Sequence, residues 1–522
     1  MIDGVLLAGG SAALGGALAL ASRRRPVLLE LTRTFAFTAA LGVVGFHLLP
    51  EILPALGPPA LLWIAAGFAL PWLLEVGARV LGPSLLARRG IRGMRVAAEV
   101  GFAALIFHSL FEGLALLATM EARENSTDLA IAIVAHHAPL TAAVALPFLD
   151  LLGVRAALIR VALVALAGIV GVVFGQLVPG LASGADADAV RYATAVVAGA
   201  LLHVVADEIR EQHFASSTHR ALDVAAAALG LSLAALGGLL DVRVTPAIIA
   251  FARASTALAL AAAPALVLSI TAEIVARRFP LLQKARTVLD GFFVTAALLG
   301  WAAAVARVAL SALFVVSLWL GGRRLAQRHR TRLADELAPR GPWLAALLLL
   351  AGCVQVLAPA RWFTDVGPSG LLLIAVLLGG AAQASASGAV LAACAFVHRG
   401  LPAELAVPFL ALGVLPVRRT PLLRSLAGAV AGIAAAFAAG AVLTRFSLLR
   451  GAAARSSEVL ARAIDPVVSQ IAGAPLAAAC AAAVFAIAVA LAFRSGVRGW
   501  FAPLRHADPH EHAAHDHAPA SI

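Results

Sequence analysis

Charge is scarce in this chain. Only 13% of its 522 residues are Asp, Glu, Lys or Arg, against 61% hydrophobic residues and a mean hydropathy of +0.94. No soluble globular class has that balance, so the composition implies an integral membrane protein. Cysteine is scarcer still, with three residues, Cys353, Cys394 and Cys480, each alone in an apolar stretch. That excludes a disulfide framework and a zinc-knuckle arrangement, and leaves them as small buried side chains. No HExxH sequence occurs, which removes zincin-type proteolysis and ranks an enzyme below a transporter. The first apolar run, residues 4–21, has no basic stretch before it and is followed by Arg23, Arg24 and Arg25, so it reads as a retained helix rather than a cleaved signal.

What the chain does have is apolar runs long enough to cross a bilayer core of about 30 Å. Eight occur in residues 1–242, at roughly 4–21, 28–49, 59–81, 96–119, 128–149, 156–178, 189–210 and 220–240. The net charge of +12 sits in short basic loops such as SRRR (22–25), ARRGIRGMR (87–95) and GGRRLAQRHRTR (321–332), which are topology signals and not a nucleic-acid surface. Their alternation puts NSTD (125–128), SGADAD (183–188) and both ends of this first block outside. Residues 243–446 form a second, permease-like block. Residues 447–505 supply an interfacial segment and a last transmembrane helix, and residues 506–522 a polar, disordered tail. The expected fold is an all-α polytopic membrane protein of about 14 transmembrane segments in a cell (inner) membrane, its N-terminus outside. Its partners are the lipid bilayer and metal ions, with a homodimer left open.

Histidine is the residue type that apolar segments should exclude, yet five of the fourteen lie in spans of the first block: His47, His108, His136, His137 and His203. Three have a carboxylate four residues on. His47 precedes Glu51, His108 precedes Glu112, and His203 precedes Asp207, itself followed by Glu208. Residues i and i+4 share a helix face, so each pair can offer an imidazole nitrogen and a carboxylate oxygen to one divalent ion. His47/Glu51 and His203/Asp207/Glu208 fall towards span ends, where they would serve as entrance and exit residues. His108 and Glu112 fall mid-span, where an unpaired charge costs at least roughly 3 kcal/mol. AHHAPLTAAVALPFL (135–149) adds His136 and His137 just before Pro139. In the tail, His506, His510, His512, His515 and His517 alternate with Asp508, Glu511 and Asp516, a flexible set that can bind zinc, nickel or copper loosely.

FHLLPE, HSLFEGLAL, HHAPLTAAVALPF and GALLHVVADEI resemble, in order and spacing, the ZIP (zinc/iron-regulated transporter-like) metal transporters. The resemblance covers roughly residues 1–240. It implies eight spans, a metal site between the fourth and fifth helices, and movement of zinc, iron or manganese towards the cytoplasm. The pattern HxxxEG is intact at His108, Glu112 and Gly113, but the family's HxxPEG becomes His136, His137, Ala138, Pro139, Leu140, Thr141, without its acid. LAGIVGVVFG (166–175) likewise has no acid where members often carry one. The implied site is therefore a single one of His108, Glu112 and His136, with His137 a substitute for the lost carboxylate; the metal, zinc first, is the transported ion and no further cofactor is implied.

The second block resembles, more weakly, the permease family related to organoarsenical exporters, in which two repeats each carry a broken helix rich in small residues. QASASGAVLAACAFVHRGLPAELAVPFLALG (383–413) is such a unit, with Ser385, Ser387 and Gly388 standing where that family has a cysteine-rich element, and residues 255–307 are its expected partner. The competing function is a permease for another small solute through this block, the first block being degenerate or regulatory.

Overall fold

The computed structural model describes residues 2–22, 25–57, 59–81, 98–99, 101–110, 113, 126–177, 186–207, 209, 216–240, 245–276, 278–279, 289–320, 337–358, 367–414 and 422–505. Among these the chain is all helical, without strands. Among the described residues, seven helices are long and apolar enough to cross a membrane, eight if the pair Val430–Arg445 and Arg450–Ile464, bent by 93°, is one span. Six shorter apolar helices accompany them, so the expected span number is not fixed by length alone. Large apolar side chains such as Leu62, Phe485 and Leu476 are exposed, and the helix Pro475–Ser495 has no buried residue. Such surfaces are untenable in water and ordinary in lipid. The protein is a helical membrane protein.

The chain divides into two compact units: unit 1 is Met1–Ile248 with Ala492–Ala502, and unit 2 is Ile249–Leu491 with Pro503–Ile522.

Unit 1 contains α1 (Ile2–Ser22), α2 (Pro26–Val43), α3 (Leu49–Leu56), α4 (Pro59–Leu81), α5 (Gly101–Leu110), α6 (Ser126–Leu152), α7 (Val154–Leu177), α8 (Asp186–Asp207) and α9 (Ser217–Leu240). A π-helical turn, Val44–Leu48, joins α2 to α3, so that Val27–Leu56 runs as one span. Pro50 is the cause: it has no N–H and its ring crowds the preceding turn, and the wider π turn, closed by the Leu49 N–H on the Val44 carbonyl, absorbs the mismatch. The second span therefore continues past HLLPEILP and stops at Gly57, whose φ of 64° ends the helix. α2 packs on α9, α4 on α8, and α1 on both α6 and α7. Glycines set these approaches. A Cβ on Gly67 would collide with the Val196 carbonyl and one on Gly199 with the Ile64 carbonyl, so α4 and α8 lie backbone to backbone.

Unit 2 contains α10 (Thr245–Ala276), α11 (Phe292–Leu299), α12 (Trp301–Leu320), α13 (Arg340–Leu357), α14 (Gly367–Ala384), α15 (Ala386–His398), α16 (Ala403–Ala411), α17 (Leu422–Arg445), α18 (Arg450–Ala461), α19 (Val467–Ala472) and α20 (Pro475–Ser495). Interruption is its theme. Gly300, at φ 91°, breaks α11 from α12; extended Ser385 breaks α14 from α15; and Gly400, at φ 111°, separates α15 from α16. At about 1.5 Å per residue α15 is roughly 20 Å long, too short to cross the bilayer, and it is buried along most of its length. Small residues let protein surround it, the condition under which broken helices persist at membrane depth. Segment 447–470, expected at an interface, contributes Leu449, Ala452, Val459 and Leu460 to the core of this unit.

Candidate functional site

Residues of the expected fourth and fifth spans meet on α5 and α6. Gly15 allows α1 to approach α6 until a Cβ there would collide with the Ala138 carbonyl. Ser11, one turn earlier on the same face of α1, thereby reaches His137. Its Oγ lies 2.7 Å from His137 Nδ1, and Ser109 Oγ of α5 lies 2.8 Å from Nε2. Ser11 Oγ is also 3.2 Å from the Ala8 carbonyl. All three contacts are satisfied when Ser11 donates to Ala8 and accepts from Nδ1–H, while Ser109 donates to Nε2. In that state neither ring nitrogen has a lone pair for a metal. His137, 2% exposed, is thus a buried hydrogen-bond hub joining α1, α5 and α6. Phe102 edge-on to Phe148, at 5.9 Å between centroids, repeats the α5–α6 contact.

His108 is buried at the adjacent position on α5, beside the helix-joining serine. Glycines bring α7 against α5 there, since a Cβ on Gly171 would strike the Leu110 carbonyl and one on Gly113 the Gly168 carbonyl. His136 lies in α6, but its side chain, like Glu112, lies outside the described residues. Among the described residues no three His, Cys, Asp or Glu side chains form a metal-holding group.

The residues expected at the entrance and exit are placed differently. His47 sits in the π turn, a helix irregularity that recurs at functional sites, and Glu51 is exposed in α3. His203 belongs to the α4–α8 interface: its Nδ1 lies 2.8 Å from the Phe68 carbonyl and its ring packs edge-on against Phe68 at 5.3 Å. Asp207 ends α8, with its side chain outside the described residues, as are Glu208 and the tail histidines His506, His510, His512, His515 and His517.

Sequence reading missed a second polar cluster in unit 1. Asp223, fully buried in α9, accepts from Thr34 Oγ1 at 2.6 Å and from the Val497 N–H at 2.7 Å. Next to Val497, buried Arg498 pairs with Glu30, which also receives Arg33 at 3.3 Å; Arg33 pairs in turn with Asp150. The available signal was a lone acid, Asp223, in the apolar run 220–240. Arg160 makes a separate partly buried pair with Glu99 at 2.5 Å and lies 4.0 Å above the Phe148 ring.

In unit 2, Ser385 caps α15, its Oγ accepting from the Gly388 N–H at 3.2 Å; Gly388 is buried against Leu347, and Ser387 is half-buried in the first turn. The opposite ends of α11 and α15 are tied down as well. Arg455 Nε donates to the Ala297 carbonyl at 3.1 Å, and Gln355 Nε2 to the Ala395 carbonyl at 2.8 Å.

Comparison with protein-family models, curated proteins and solved structures finds no match for this chain.

Proposed function

We propose that the chain is a cell-membrane transporter of divalent cations of the zinc, iron or manganese class, which unit 1 conducts past His108. The observation that supports this reading is the burial of His108 in the apolar helix α5, fastened to α6 through Ser109 and His137. Ionisable side chains inside membrane helices are costly to bury and mark ion pathways. Glu112, four residues after His108 in the sequence, and His136, the neighbour of His137, complete the expected ligand set, and the metal is cargo. Zinc uptake into proteoliposomes falls to background in His108→Ala/Glu112→Ala; unchanged uptake would overturn the assignment. Neutral imidazole is the ligand form, so uptake weakens in acid.

A second reading, a permease for another small solute through unit 2, is supported by its interrupted helices. Paired, broken, small-residue-rich segments mark the substrate sites of many secondary transporters.

A further inference from the structure

The short helices α11 and α15 run parallel. Ala386 lies beside Gly291 at their N-terminal ends, and Cys394 Sγ lies 3.7 Å from the Leu298 carbonyl near their C-terminal ends. Side-by-side parallel helices place like partial charges together, and each N-terminus carries up to about half a positive charge on N–H groups lacking intrahelical partners. α11 has no side-chain cap at its N-terminus, and Ser385 takes only the Gly388 N–H of α15.

A full cation is buried at the same place. Arg307, 3% exposed on α12, donates from Nη1 to Thr295 Oγ1 at 3.1 Å. Thr295 itself donates to the Gly291 carbonyl at 2.8 Å, which turns its lone pairs towards the guanidinium. Arg307 Nη1 lies only 2.8 Å from where a Cβ of Gly291 would stand, so the missing side chain is what admits it. Its Nε is buried without a hydrogen-bond partner. The nearby carboxylates are matched one for one by arginines: Asp290, which acts on Arg307, also lies 3.6 Å from Arg340, and Arg340 takes Glu273 at 3.3 Å. Two arginines against two acids leave the converging helix ends uncompensated, a surplus of up to roughly one positive charge.

We propose that unit 2 binds a small oxyanion, a phosphate, sulfate or carboxylate group, where the N-terminal ends of α11 and α15 meet Arg307. The guanidinium supplies charge and a planar fork of donors, and the helix ends supply backbone N–H groups. Resting on the reading of unit 2 as a permease, this names the class of solute and its site.

The test measures binding of labelled phosphate and sulfate to the full chain in detergent, with flux into proteoliposomes as a separate readout. Saturable binding is expected in the native protein and is lost in Arg307→Gln. Arg307→Lys keeps the charge without the fork, and binds at least about tenfold more weakly, which keeps the test open if Arg307→Gln fails to fold. Arg307-dependent retention of a phospholipid instead of free anion would identify the source as a headgroup on the same site. Binding unchanged in both variants, or no Arg307-dependent anion of either source, would overturn the site. Arg307-dependent binding without flux would retain the site and refute the permease reading; flux unaffected by Arg307→Lys would do the reverse.

Discussion

His137 offers a clean separation of a metal ligand from a helix-joining residue. Replacing it with Leu removes the partners of Ser11 Oγ at 2.7 Å and Ser109 Oγ at 2.8 Å while keeping an apolar side chain in a site only 2% exposed. Interhelical hydrogen bonds in membranes average about 0.6 kcal/mol and reach about 1.7 kcal/mol. Two of them predict a loss of roughly 1–3 kcal/mol in His137→Leu. The triple variant with Ser11→Ala and Ser109→Ala should lose less than the sum of its parts, because no hydroxyl is then buried without a partner. Unfolding free energies from steric trapping in bicelles measure this. A coupling of about 0.6–1.7 kcal/mol between His137 and each serine is expected, together with zinc uptake within a few fold of the native protein. Coupling near zero with zinc affinity reduced tenfold or more would refute the hub and make His137 a ligand.

Two further outcomes follow from packing in unit 1. Gly171→Ala forces a Cβ against the Leu110 carbonyl, so α7 must move off α5; a loss of about 1–3 kcal/mol and reduced zinc uptake are expected, whereas Gly10→Ala, with open space around it, changes neither. Asp223→Ala leaves the Thr34 hydroxyl and the Val497 N–H without this acceptor at about 1–3 kcal/mol each. A lower melting temperature and faster tryptic cleavage after Arg498, buried in the native protein, check it; an unchanged cleavage rate would mean that Asp223 does not hold this segment.

Much of the architecture was legible in the order of residues because lipid imposes a coarse rule. Every backbone polar group must be satisfied internally, so long apolar runs can only be helices. The all-helical fold, the exposed apolar surface and the interruption of QASASGAVLAACAFVHRGLPAELAVPFLALG at its serines and glycines follow from composition and local stereochemistry. The number of spans was not legible, since hydropathy counts apolar residues and does not distinguish a crossing helix from a short one such as α15, shielded by protein.

Only tertiary structure decided what the individual polar residues do. His136 and His137 are equivalent in sequence, but the close approach at Gly15 brings Ser11 to His137 and occupies its ring. HLLPEILP reads as a span end, whereas a π turn carries the helix on through it. Arg307 stands alone inside an apolar stretch of the sequence, and Gly291, sixteen residues earlier, makes room for it at a helix end. The sequence by itself determined that this chain is helical and lies in lipid, and that it carries histidines where lipid disfavours them. Which of those polar groups is spent on holding helices together, and which remains for an ion, depends on what faces it across a helix interface, and that is set by residues far away in the chain.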